Sequence, residues 1–309
     1  MRIVCSRISV LAVALAMLTV VPVRPSGQQP TFRAETELVN LGITVLDKRG
    51  NFIADLAGDN FEILEDGKPQ TIRLFARGDE TDSAPELHVG LLLDTSGSMG
   101  EDIGLARSAA VKFLNTLSDA RDITLVDFDT EVRVAKYEQQ NFARMVERIR
   151  SRKPEGFTAM YDALGVYLEG ATEDEGRTIL VLFTDGGDTR STLTFNDALT
   201  ALRASDVTVY TIGFLEHQST GVRFEQRTRL TQIAEETGGQ AFFPLSMKEI
   251  SDAYDRILAQ IRAQYSIGYL STNTAHDGRW RKVDIRVRRA DLKDLRIRSR
   301  KGYFAPFRK

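Results

Sequence analysis

Apolar and polar positions follow three successive rhythms along the chain. In residues 31–85 they alternate: Leu41, Ile43 and Val45 recur at every second position before the turn Asp47-Lys48-Arg49-Gly50. Alternation resumes on both sides of Asp66-Gly67, the pattern of a hairpin with a two-residue turn. From Glu86 to Gln264 the rhythm changes. Short continuous apolar runs, "HVGLLLD" and "RTILVLFTD" among them, are separated by segments of helical period such as "IGLARSAAVKFLNTLSD" and "MKEISDAYDRILAQIRAQ". Apolar runs bounded by turn residues predict buried parallel strands, and their alternation with helices predicts a doubly wound α/β domain covered on both faces. After Gln264 alternation returns. Val283, Ile285 and Val287 face one way, while Lys282, Asp284, Arg286 and Arg288 face the other, as in a strand with one wet face.

The two alternating ends are each too short to be stable alone. Residues 31–86 carry 12 acidic and 6 basic side chains, and residues 279–309 carry 3 and 13, so opposite charge favours docking them together. The expected organisation is a β-sandwich contributed by residues 31–80 and 265–305, with an α/β domain, residues 86–264, inserted between. The helix ending at Gln264 runs directly into the strand 265–271.

Composition narrows the class. A 309-residue chain that is 42% hydrophobic and 27% charged is globular, and a net charge of −2 gives no general attraction to nucleic acid. Residues 1–27 have Arg2 and Arg7 before an apolar core from Ile8 to Val21, then Pro, Ser and Gly, which is a secretory signal pattern. No clean small-residue cleavage site follows, so an uncleaved N-terminal anchor is the alternative. No second membrane span is expected, and the mature protein is expected to be exported, either periplasmic or secreted. The single cysteine, Cys5, precedes the apolar core, which rules out a lipoprotein signal and leaves no thiol after cleavage. His88, His217 and His276 are far apart and do not form a zinc spacing.

The candidate chemistry lies where the apolar runs end. In a parallel α/β sheet, ligands gather outside the carboxyl ends of the strands. Asp94 and Asp185 both end apolar runs, Ser96 and Ser98 follow Asp94, and Thr158 opens a helix after Gly156. Two carboxylates and three hydroxyls form an all-oxygen donor set suited to Mg²⁺, with Mn²⁺ or Ca²⁺ as alternatives. Hydroxyls donate without adding charge, so such a site would accept a further anionic oxygen from outside. A plain loop, with Ser98 capping a helix 103–118 and Gly97 making the turn, accounts for one serine. It leaves Ser96, Thr158 and Asp185 without a reason.

Asp94-Thr95-Ser96-Gly97-Ser98, with Thr158 and Asp185, resembles the metal-ion-dependent adhesion site of von Willebrand factor type A domains. The resemblance covers about residues 86–264 and fills all five motif positions in order. The whole chain, including "FEILEDGKPQTI" and "RKGYFAPF", also resembles a bacterial group related to these domains and described from Acidobacteria. The resemblance implies a Rossmann-like fold and a cation held by Asp94, Ser96, Ser98 and Thr158, directly or through water, with Asp185 acting through water. It also implies a protein partner whose Glu or Asp completes the shell, and binding rather than catalysis. One departure is Phe157, which stands where the family often has a second glycine.

Rival chemistries lack their signatures. The chain has no G-x-G-x-x-G after the first strand, no G-K-[ST] and no G-x-S-x-G with a histidine base. A metal-dependent hydrolase would need a general base. Asp127, Asp129 and Asp188 are nominees, but they read as solvated loop carboxylates. A structural subunit in which the metal only stabilises is the other alternative. "FLEHQSTGVRFEQRTRL" reads as a long polar loop on the metal face, with Arg223 and Phe224, together with Phe157, as candidate partner contacts. Trp280 reads as a sandwich core residue.

Overall fold

The computed structural model describes residues 38–78, 85–117, 120–171 and 176–307. The signal pattern in residues 1–27 and the polar stretch 79–84 lie outside these residues. Twenty strands and α-helices follow one another among these residues. They are β1 (Leu38–Leu46), β2 (Phe61–Glu65), β3 (Lys68–Gln70), β4 (Ile72–Arg77), β5 (Leu87–Asp94), α1 (Ile103–Leu114), β6 (Ala120–Phe128), β7 (Val132–Glu138), α2 (Phe142–Ser151) and α3 (Met160–Ala171). Then come β8 (Arg177–Thr184), α4 (Phe195–Ala204), β9 (Thr208–Gly213), α5 (Thr220–Glu236), β10 (Ala241–Phe242), α6 (Met247–Ala263), β11 (Tyr265–Leu270), β12 (Trp280–Val287), β13 (Arg296–Arg298) and β14 (Gly302–Phe304).

The apolar runs form a six-stranded sheet in the order β10-β9-β8-β5-β6-β7. All its pairings are parallel except that of β7, which is antiparallel and closes one edge. The central strand β5 is buried along its whole length, as expected for a sheet covered on both faces. Val89, Leu91 and Leu93 pack with α1, α2 and α6 on one side. Leu92, Leu180 and Leu182 pack with α3, α4 and α5 on the other. Gly90 has a specific reason to be glycine: a Cβ there would overlap the Tyr167 ring of α3.

The two ends of the chain build two four-stranded sheets, β13-β1-β11-β4 and β14-β12-β2-β3, and each sheet takes strands from both ends. Between them lies one core, with Leu41, Ile43, Phe61, Ile63, Tyr265, Ile267, Tyr269 and Val283. The α/β domain is thus inserted in a small sandwich. Asp66 and Gly67 both have positive φ, 46° and 80°, and join β2 to β3 as a two-residue turn. Gly50, at φ 83°, closes the Asp47 turn through an N–H donated to the Asp47 carbonyl at 3.0 Å.

The plain-loop alternative does not hold, and three local expectations are corrected. Asp102 occupies the N-cap position of α1 without a side-chain cap bond, α1 ends at Leu114, and Gly97–Gly100 form a separate 3₁₀ turn, so Ser98 is not the cap. Residues 220–228 form the first half of α5 rather than a loop. They show no apolar period because that half is almost wholly exposed; only Leu230, Ile233 and Ala234, further along, reach the core. Trp280 is half-buried on the face it shares with Lys282, edge-on to Phe304 with ring centroids 5.0 Å apart. Strand alternation sends Arg281 and Val283 inward instead. Asp127 and Asp129 are not solvated, and Asp188 is half-buried in its loop. Asp127 is 1% exposed among Arg133, Arg148 and Arg152; Asp129 is held by Arg133; and Asp188 accepts from Tyr161 N–H and the Ser191 hydroxyl. Among the described residues no helix is long and apolar enough to cross a membrane.

Candidate metal centre

Strands β5 and β8 run side by side in parallel register, Leu93 beside Phe183, so their carboxyl ends deliver Asp94 and Asp185 to the same place. Both side chains are buried, as are Ser96 and Thr158; Ser98 lies at the surface. Asp94 Oδ1 accepts from the Ser96 N–H at 2.9 Å, and Oδ2 accepts from Thr184 Oγ1 at 2.6 Å. Thr184 in turn accepts from the Gly186 N–H at 2.9 Å, so one hydroxyl fastens β5 to the turn after β8. The Ser96 and Ser98 hydroxyls meet at 3.1 Å.

Thr158 arrives on a different segment, held to the first by backbone bonds. Gly97 N–H donates to the Gly156 carbonyl at 3.1 Å, and Glu155 N–H donates to the Thr95 carbonyl at 3.0 Å. The Phe157 N–H donates to Thr130 Oγ1 at 2.9 Å, the Thr158 N–H to Thr189 Oγ1 at 3.0 Å, and the Ala159 N–H to the Asp129 carbonyl at 2.8 Å. Each residue on either side of Thr158 is therefore fixed by its own partner. Phe157 projects its ring outward, 62% exposed. Gly156, at φ 74°, makes the turn that the segment needs.

Electrostatics set Asp94 apart. Burial, and then the charge of nearby Asp185, push its carboxyl up to about 7, against the hydrogen bonds from Ser96 and Thr184. Among the described residues no Lys or Arg pairs with Asp94 or Asp185, whereas Asp127, equally buried, has three guanidinium partners. Asp185 instead accepts from neutral donors, Gln218 Nε2 at 3.1 Å and the Gly187 N–H at 3.4 Å. Among the described residues no three His, Cys, Asp or Glu side chains converge. The donor set is two carboxylates surrounded by hydroxyls, and it fits a hard divalent cation. His88 is at the opposite end of β5, on Asp122, and His217 faces Glu101 and Asp102.

Arg223, in the first turn of α5, donates to the carbonyls of Glu216 (2.8 Å) and Gln218 (3.2 Å), and Phe224 beside it is 73% exposed. The sequence reading passed over Thr184, Thr130 and Gln218. Thr184 was detectable, since it directly precedes Asp185 at a strand end. Thr130 and Gln218 reach the site only through the tertiary fold.

The model of the von Willebrand factor type A domain family matches residues 88–256. No curated protein matches the chain. Among solved structures it is similar to a von Willebrand factor type A protein from Catenulispora acidiphila, at 14% identity and a TM-score of 0.48, covering 90% of this chain and 76% of that one. It is also similar to the vWF domain of the type V pili tip protein Mfa5 from Porphyromonas gingivalis, at 12% identity and a TM-score of 0.47, covering 58% and 97%. A third similarity is to the pilus adhesin SpaC from Lactobacillus rhamnosus GG in its open conformation, at 10% identity and a TM-score of 0.49, covering 84% and 49%.

Proposed function

Because the chain belongs to the von Willebrand factor type A domain family, matched over more than half its length, we propose that it is an exported, cation-dependent protein-binding module. The observation that carries this reading is the buried Asp94–Asp185 pair, with hydroxyls around it and, among the described residues, no Lys or Arg paired with it. Mg²⁺, or Mn²⁺ or Ca²⁺ in its place, would supply there a positive centre open to a carboxylate oxygen from a partner's Glu or Asp. Asp94, oriented by Thr184 and the Ser96 N–H, provides charge; Ser96, Ser98 and Thr158 provide neutral oxygens; Asp185 provides the second charge. Phe157, Arg223 and Phe224 are the proposed partner contacts around this centre. The boundaries 31–80, 86–264 and 265–305, the kinship with the group described from Acidobacteria and a periplasmic or secreted location belong to the same proposal. The location rests on the N-terminal signal pattern.

The thermal midpoint in EDTA and in millimolar Mg²⁺ or Mn²⁺, measured beside an Asp94→Ala variant, tests it. A cation that binds only the folded state, at a hundred times its Kd, adds about 2.7 kcal/mol. A shift in the wild type that disappears in the variant is expected. No shift at any cation concentration, or the same shift in both proteins, rejects the centre. If a partner once found binds equally well in EDTA, the cation has a structural role alone.

A further inference from the structure

The loop between β9 and α5, residues 214–219, crosses from its own strand to the proposed cation site. Phe214 and Leu215 are its apolar anchors, while Glu216, His217 and Ser219 are exposed. Polar tethers set the rest of its course. Arg223 pulls the loop onto α5 through the carbonyls of Glu216 and Gln218. His217 Nδ1 lies 2.7 Å from Glu101 Oε2, and its Nε2 lies 3.6 Å from Asp102 Oδ1, just past the Ser96–Ser98 turn. Between these two tethers the half-buried Gln218 delivers its Nε2 to Asp185 Oδ2 at 3.1 Å.

We infer that Gln218 is a positioning residue for the cation, orienting Asp185 without neutralising it. This inference rests on the cation-binding reading above. A carboxylate at the end of a strand is free to rotate about its last bond, and one strong donor on Oδ2 removes that freedom. Among the described residues the other oxygen receives only the long Gly187 contact of 3.4 Å, beyond the usual range for an N–H donor, so it keeps its acceptor capacity. The type of donor matters as much as its place. An amide fixes the carboxylate and leaves its charge whole. A Lys or Arg there would cancel that charge, as the guanidiniums do at Asp127. The amide keeps the site at two negative charges against a divalent cation. That balance leaves no surplus to repel an incoming anionic oxygen.

Calorimetric titration of the purified full chain with Mn²⁺ alone tests this, in wild type, Gln218→Ala and Gln218→Lys, with the melting temperature of each measured in EDTA. The expected result is Mn²⁺ binding about fivefold weaker in Gln218→Ala and more than tenfold weaker in Gln218→Lys, with metal-free melting within a degree or two of wild type for Gln218→Ala and no lower than wild type for Gln218→Lys. A residue that only held the loop together would lower metal-free melting and treat Ala and Lys alike. Unchanged Mn²⁺ affinity in both variants, with wild type binding normally, overturns the role of Gln218 and leaves the cation site standing. Absence of Mn²⁺ binding in wild type removes both.

Discussion

Two buried aspartates in this molecule show opposite solutions to the same problem. Asp127 is surrounded by Arg133, Arg148 and Arg152, so its charge is met inside the fold. Among the described residues Asp94 has only hydrogen-bond partners, and burial together with Asp185 pushes it up to about 7. A carboxyl whose folded value lies above its ordinary 3.8 holds its proton better when folded than when unfolded. The stability that Asp94 contributes in the absence of metal is therefore fully present below pH 4, is lost as pH rises through the window from about 4 to 7, and levels off above it. The total decline is a few kcal/mol, at about 1.4 kcal/mol for each unit. Asp94→Asn, close in shape and uncharged, should flatten this decline and melt higher than wild type in EDTA at pH 8. Melting curves from pH 4 to 8 check it, and parallel profiles for the two proteins would sink the idea. Of the five proposed ligands, Asp94 and Asp185 stood out in the sequence because each ends an apolar run, whereas Ser96, Ser98 and Thr158 joined them through the resemblance to the family motif. The pairing of Asp127 was not legible, since its partner Arg148 comes from another element, 21 residues away.

Elements were legible where burial imposes a period and illegible where it does not. β5 read as a strand because both its faces are buried. The first half of α5 read as a loop because neither core nor period disciplines it. Gly90, inside the β5 run, has a consequence for the site. Because it lacks a Cβ, the Tyr167 ring of α3 rests directly on the strand, and α3 begins two residues after Thr158. Gly90→Ala overpacks this contact and should destabilise the protein by about 1–3 kcal/mol. Combining it with Tyr167→Leu should cost clearly less than the two single losses added, because the smaller side chain relieves the same overlap. Denaturant unfolding of the four proteins measures the coupling. Strictly additive losses would mean that α3 does not depend on Gly90 for its seat.

Across the whole molecule, opposite charge on the two ends correctly suggested that they meet, but it is not what holds them. Their pairs, Arg289 with Asp55 at 2.8 Å and Arg288 and Arg286 with Glu62, lie at the surface, where each contributes under about 1 kcal/mol. The stronger tie is buried and was invisible in sequence. Glu65, 2% exposed at the end of β2, accepts from Tyr269 Oη at 2.9 Å, Tyr303 Oη at 2.8 Å and Ser271 Oγ at 2.6 Å. One N-terminal carboxylate thus gathers three hydroxyls from the C-terminal segment across both sheets. Burial pushes Tyr303 up to about 12 and raises Tyr269 too, so both phenols stay protonated and keep donating in neutral buffer. Glu65→Ala strands all three donors, and a buried polar group without its partner costs about 1–3 kcal/mol. The variant should therefore lose several kcal/mol in denaturant unfolding. Arg288→Ala and Arg289→Ala should each lose less than about 1 kcal/mol, and molar salt, which screens surface pairs, should leave wild type little changed. If the arginine variants or salt proved the more damaging, surface charge would be the tie that closes the sandwich, and the Glu65 cluster a passenger within it.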